Sequence, residues 1–234
     1  MKPDAIEVLA DAEALARRAA DWLVETLSAS TDEALAVALA GGSTPRSLYR
    51  LLATPAYAAK LPWARIHWFW GDERFVPPDH PDSNYRMARE AMLSHTPVPA
   101  ANIHPIPTEG LTPRASAADY ERTLRAARGP YFHVTLLGLG PDGHIASLFP
   151  GSGALQERQR WVVAVEGEKP EARISLTYPA LEASREIAFL VAGKEKYQIL
   201  QRILAGSDLP AGRLKPSGSL RFFLDRAAAG EIAL

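Results

Sequence analysis

The acid and the imidazole in Gly138-Leu139-Gly140-Pro141-Asp142-Gly143-His144 stand together just after the apolar run Val134 to Leu137, where a strand would end. An imidazole titrates near neutrality, at about 6.5. His144 can therefore take a proton from water and return it, as general acid–base hydrolysis requires, with Asp142 orienting the ring. Gly138, Gly140 and Gly143 also fit the Gly-x-Gly-x-x-Gly pattern of a dinucleotide loop. That loop should open a chain-initial strand–helix–strand unit and be followed about 20 residues later by an acid on a second strand. Here the pattern lies mid-chain and ends in histidine, which favours the acid–base reading.

Two further stretches could hold a ligand. Gly41-Gly42-Ser43-Thr44 lies between an apolar strand and a helical period. Glycines there let the backbone approach an anion, and the free amides of a helix start favour negative charge. Gly42, Ser43 and Thr44 are thus candidate phosphate contacts, although taken alone the stretch reads equally as a tight turn with a Ser/Thr cap. Trp70-Gly71-Asp72-Glu73-Arg74 follows an aromatic strand, so Asp72 and Arg74 should emerge at the carboxyl end of a sheet, where open α/β folds bind ligands. The alternative there is a solvated loop whose Asp and Arg pair with each other. Downstream, Ser83 suits a helix cap, and Asn84 either caps or reaches a sugar hydroxyl. Arg173, leading a strand, and Lys196, inside a helix, could close an anion site, a guanidinium fork and an ammonium being a common pair on phosphate. Each also reads as a surface charge, and Lys194, Arg213 and Lys215 are weaker candidates.

The other histidines suggest no metal. His67 and His133 fall in or beside strands, and His80, His95 and His104 sit in Pro-rich loops without ligand spacing. Ser147 lacks the Gly-x-Ser-x-Gly elbow of a serine nucleophile and should cap or pack.

Positioning these residues requires strands that alternate with helices. Ala10 to Leu27 carries Leu15, Ala19, Trp22 and Leu23 at helical spacing, with charges on the other faces. Strands are expected at 34–39, 66–70, near Ile103, and at 133–139, 161–165, 174–177, 187–191 and 220–224. Helices are expected after Thr44, with Pro45 at the first helical position, and at 83–93, 113–127 and 194–205. This alternation predicts an α/β fold with an open, mostly parallel sheet and helices on its faces. The chain of 234 residues, 47% hydrophobic, can bury one substantial core, so one domain over 1–234 is expected. The 26 basic and 27 acidic residues nearly cancel, which argues against nucleic-acid or anionic-membrane partners. Without cysteine there is no disulfide or thiolate chemistry. The acidic start lacks a signal-peptide pattern, and no apolar run approaches the roughly 20 residues of a spanning helix, so a cytoplasmic protein is expected. A monomer is preferred, with a dimer left open.

Taken together, these segments resemble the 6-phosphogluconolactonase family, a branch of the superfamily that includes glucosamine-6-phosphate isomerase/deaminase. The resemblance spans nearly the whole chain. It is carried by Ala40 to Pro45, Trp70 to Arg74 with Ser83-Asn84-Tyr85, and Leu137 to Pro150, in order and spacing. Arg173 to Thr177, Val191 to Lys196 and Leu209-Pro210-Ala211 add to it, while Tyr197 stands where the family often has alanine. The resemblance implies a Rossmann-like sheet, no cofactor, and hydrolysis of the sugar-phosphate lactone 6-phospho-D-glucono-1,5-lactone. His144 would activate water without an acyl-enzyme, Arg74 would stabilise the oxyanion, Asp72 and Asn84 would hold sugar hydroxyls, and Gly42-Ser43-Thr44 with Arg173 and Lys196 would hold the phosphate. The deaminase branch carries Phe-Asn-Glu-Pro where this chain has Ser147-Leu148-Phe149-Pro150. A deaminase-like enzyme and a non-catalytic sugar-phosphate sensor are the rivals. No helix-turn-helix precedes Ala10 to favour the sensor.

Overall fold

The computed structural model describes residues 2–127 and 131–230. Residue 1 and residues 128–130 and 231–234 of the expected 1–234 domain lie outside the described residues. The chain opens with β1 (Ala5–Leu9) and α1 (Ala12–Ala29), whose N-terminus is capped by the Asp11 carboxylate accepting from the Ala14 amide. Leu15, Ala19, Trp22, Leu23 and Leu27 form the buried stripe of α1, at the spacing its sequence shows. There follow β2 (Leu35–Leu39), α2 (Ser43–Leu52), the short α3 (Pro55–Ala58), β3 (Ile66–Trp70), β4 (Asp72–Arg74), α4 (Asn84–Ala91), α5 (Pro113–Ala127) and β5 (Phe132–Leu137). The C-terminal part contains β6 (Val162–Val165), β7 (Arg173–Leu176), α6 (Tyr178–Glu182), β8 (Ser184–Val191), α7 (Tyr197–Leu204), β9 (Ser219–Asp225) and α8 (Arg226–Ala229).

Six strands form one sheet in the order β1-β9-β8-β5-β2-β3, with every neighbouring pair parallel. β2 and β5 lie inside it and are buried at every position, which is why they are written as near-continuous apolar runs rather than alternating ones. The expected α/β architecture is the one observed. A second, antiparallel sheet, β4-β7-β6, follows the carboxyl end of β3 in the chain, and its Ile174, Leu176 and Val162 are buried.

Four local expectations change. β1 was not foreseen: it is a half-buried edge strand of five residues whose register comes from pairing with β9, far away in sequence. Asp72 to Arg74 is a strand, not a loop, because β7 supplies its partner. Ile103 contributes only an isolated bridge to Trp68. Finally, α2 begins two residues early, at Ser43 rather than Pro45. Its cap is Gly42 at φ 105°, without a side-chain bond, so Thr44 and Pro45 lie inside the first turn.

Core packing carries the stability of this frame. Phe222 of β9 is fully buried and stacks on Phe189 of β8 with ring centroids 4.5 Å apart. Phe222→Ala should cost about 3–5 kcal/mol, read as a lower urea midpoint with an unchanged slope.

Candidate functional site

The carboxyl ends of β2, β3 and β5 open onto one cavity of about 490 Å³. On the β2 side, the Tyr49 hydroxyl donates to the Ala40 carbonyl and accepts from the Ala40 amide, fixing the strand end before the chain turns. A Cβ at Gly41 would fall 2.1 Å from Asn84 Oδ1, so only glycine lets the Asn84 side chain lie across this backbone. Gly42 then turns the chain into α2 and presents the uncapped helix start beside the cavity.

β4 is held by Glu73, whose residue is 2% exposed. Its carboxylate accepts from the amides of Arg74, Asn84 and Tyr85 at 2.7–2.8 Å and from the Ser83 hydroxyl at 3.1 Å. Burial pushes this carboxyl up in pKa while the three amides pull it back, and the upward direction prevails. Ser83 caps α4 by accepting from the Arg86 amide, leaving Asn84 free to donate from Nδ2 to the Asp72 carbonyl at 2.9 Å. Asp72 in turn accepts from the Ser147 hydroxyl at 2.6 Å, and the Ser147 amide donates to the Ser175 hydroxyl at 3.1 Å. Ser147 therefore ties the two walls of the cavity together, as a packing residue should.

After β5 the backbone closes on itself: the Gly140 amide donates to the His144 carbonyl and the Gly143 amide to the Gly140 carbonyl. Gly143 has φ 85°, and Ala146 adopts φ 47°. A Cβ on Gly140 would lie 2.0 Å from His144 Nδ1, so the imidazole rests on bare backbone. Asp142 Oδ1 lies 2.5 Å from His144 Nδ1 and accepts from the His144 amide at 3.2 Å. An ionised carboxylate has no proton to give, which places the imidazole proton on Nδ1 and leaves Nε2 as the acceptor. Burial opposes the Asp142 charge, yet the His144 hydrogen bond and charge hold its carboxyl below the ordinary value. The Phe149 ring packs 4.8 Å from that of His144.

Cations gather on the remaining wall. Arg74 and Arg173 are cross-strand partners of β4 and β7, so they share a face. The Arg173 side chain is 14% exposed, its buried Nε has no partner, and burial together with the Arg74 charge lowers its pKa. Arg74 donates to the Asp82 carbonyl. Lys196 is set by a turn at Gly193, whose amide donates to Asp225, and its ammonium donates to the Leu139 carbonyl at 2.8 Å.

Of the residues singled out in sequence, Gly42, Asp72, Arg74, Asn84, His144, Arg173 and Lys196 line the cavity, and Asp142 stands behind His144. Ser43 and Thr44 lie in the first turn of α2 and are not among the lining residues. Lys194, Arg213 and Lys215 lie off the cavity, and Arg213 pairs with Asp208. His133 accepts from the Ala36 amide and reaches Asp32, and His67 stacks with His104. No group of residues able to hold a metal occurs among the described residues. Lys169 and Phe149 also line the cavity. Lys169 escaped the sequence reading because it lies in an acidic connection without a motif.

The family model for glucosamine-6-phosphate isomerases/6-phosphogluconolactonase matches residues 10–222. The chain is 44% identical to a 6-phosphogluconolactonase of a Nostoc species, over 98% of each chain. It is 38% identical to one of Mycobacterium tuberculosis, over 97% of this chain and 98% of that one. A solved 6-phosphogluconolactonase from Trypanosoma cruzi superposes with a TM-score of 0.87 at 32% identity, covering 100% of this chain and 98% of the other. A monomeric glucosamine-6-phosphate deaminase shares the fold, with a TM-score of 0.83 at 22% identity over 98% of this chain and 99% of its own.

Two results should follow from the Asp142–His144 geometry. Wild-type protein should show a downfield imidazole Nδ1 proton by NMR, and Gly140→Ala should abolish it while the far-UV dichroism stays unchanged. Because the Asp142 carboxyl is held below its ordinary value of 3.8, its stabilising contribution is present at neutral pH and lost as pH falls through the folded-state value. The stability gap between wild type and Asp142→Asn, followed by urea unfolding, should therefore narrow in acid below pH 3.8.

Proposed function

The chain belongs to the glucosamine-6-phosphate isomerase/6-phosphogluconolactonase family, and on that premise we propose that it hydrolyses 6-phospho-D-glucono-1,5-lactone to 6-phospho-D-gluconate in the oxidative pentose phosphate pathway, using water activated by His144. The observation that carries the mechanism is the Asp142–His144 pair, with Nε2 free, in a cavity that also gathers Arg74, Arg173 and Lys196. His144 Nε2 removes a proton from water as the oxygen attacks C1 of the lactone. Negative charge then collects on the former carbonyl oxygen. When the tetrahedral intermediate collapses, the bond from C1 to the ring oxygen breaks and the imidazolium returns its proton to that oxygen. Asp142 stabilises the imidazolium between the two transfers, so neither a metal nor a covalent intermediate is required.

Binding is divided by charge. Arg173, desolvated and lacking a partner at Nε, with Lys196 and the α2 start at Gly42-Ser43-Thr44, holds the phosphate, which is remote from C1 and so contributes orientation. Arg74 serves the developing oxyanion, where a fixed donor acts mainly on the transition state. Asp72 and Asn84 hold sugar hydroxyls. The comparisons support lactone opening over deamination. At the place of the deaminase branch's glutamate this chain has Phe149, an apolar ring against His144 that cannot carry a proton. We further assign a cytoplasmic location and a single, preferably monomeric, domain with no nucleic-acid partner. Among the described residues no helix is long and apolar enough to cross a membrane.

The test is the rate of proton release from freshly prepared 6-phosphogluconolactone, corrected for spontaneous opening. Wild type should accelerate it, and His144→Ala and Asp142→Asn should each lower kcat about 10²–10⁴-fold with product affinity preserved. Near-normal turnover by His144→Ala would remove the mechanism. Ammonia release from glucosamine 6-phosphate should be absent.

A further inference from the structure

Lys169 lies on the connection between β6 and β7, in the sequence Glu166-Gly167-Glu168-Lys169-Pro170-Glu171. It is the one cation among three carboxylates, yet no ion pair to any of them occurs. Glu171 turns instead toward Arg173, at 3.8 Å. Pro170 confines the preceding residue to extended backbone. The Lys169 ammonium stands 5.0 Å from the centroid of the Phe149 ring, on the cavity wall, although the residue as a whole is exposed. The Phe149 ring in turn packs 4.8 Å from the His144 ring. An aromatic face attracts a cation but leaves its three N–H donors unmatched, so the ammonium is held near the reacting end of the cavity with its hydrogen-bonding capacity free.

We propose that Lys169 is a substrate-contacting residue for the C1 end: its ammonium receives the carboxylate that forms there when the lactone opens. This rests on the lactonase reading. Ring opening converts an uncharged ester into a carboxylic acid, which at neutral pH gives its proton to solvent and becomes a carboxylate, so the C1 end gains a full negative charge while the phosphate end does not change. Arg74 can meet one oxygen of that group but is also tethered to the Asp82 carbonyl and shares its face with Arg173. Lys169 reaches the same end on a flexible stem, from the Phe149 side. The three flanking glutamates keep the rim acidic and set this ammonium apart as its point of attraction for an anion.

The proposal separates the two charged ends of the ligand, and calorimetric titration can read them apart. Two ligands are compared: 6-phosphogluconate, and glucitol 6-phosphate, which keeps the phosphate and hydroxyls but has an alcohol at C1. Lys169→Met should weaken 6-phosphogluconate about fivefold, the effect of losing one exposed charge-assisted bond, and leave glucitol 6-phosphate within about twofold. Lys169→Arg, which keeps the charge, should restore most of the loss. Equal weakening of both ligands would place Lys169 at the phosphate or in the general field and overturn the proposal, as would no change in either. Failure of the wild type to bind either ligand would overturn the lactonase reading together with this one.

Discussion

The Glu73 carboxylate is nearly sealed from water and has four hydrogen-bond donors around it, and much of the cavity's shape depends on that satisfaction. A buried charge without partners would be expelled or neutralised. Here the donors are the amides of Arg74, Asn84 and Tyr85 with the Ser83 hydroxyl, so the start of α4 is bound to β4 and neither can shift alone. From that junction Asn84 reaches Asp72 and Asp72 reaches Ser147, and the turn holding His144 is joined to the opposite wall. A single buried group thus sets the relative placement of charged side chains that come from separate parts of the chain.

The large parallel sheet was legible because its interior strands are buried on both faces, and burial on both faces leaves an uninterrupted apolar run such as Leu35 to Leu39. The boundaries of α5 were likewise written locally, from Pro113 to Ala127. β1 and β4 were not legible, for a shared reason. Neither is buried on both faces, and each becomes a strand only through a partner brought by the tertiary fold: β9 for β1, β7 for β4. The cap of α2 lies two residues before the expected one because Thr44-Pro45 carries a strong local signal, whereas Gly42 begins the helix through a backbone conformation that composition does not announce.

The site divides along the same line. Residues in strand–glycine–helix turns, such as Gly42, Asp142 and His144, could be found from spacing, since the turn itself dictates where the side chain emerges. Arg173 and Lys196 could be listed only as candidate charges, because nothing near either in sequence shows what faces it. Lys169 illustrates the limit. Its neighbours are glutamates, its partner is an aromatic ring some 20 residues earlier, and only the folded hairpin brings the two together. The Ser147 hydroxyl, too, gained its meaning from Asp72, across the cavity.

The turn after His144 is also held in tension. Ala146 sits at φ 47°, a conformation that a residue with a Cβ adopts at a cost of order 1 kcal/mol. It cannot relax, because its neighbour Ser147 is pinned to Asp72 and Ser175 while His144 is pinned to Asp142. The molecule therefore trades a little global stability for a spring-loaded loop. Selection for heat tolerance alone would tend to release that spring, and with it the alignment of the imidazole.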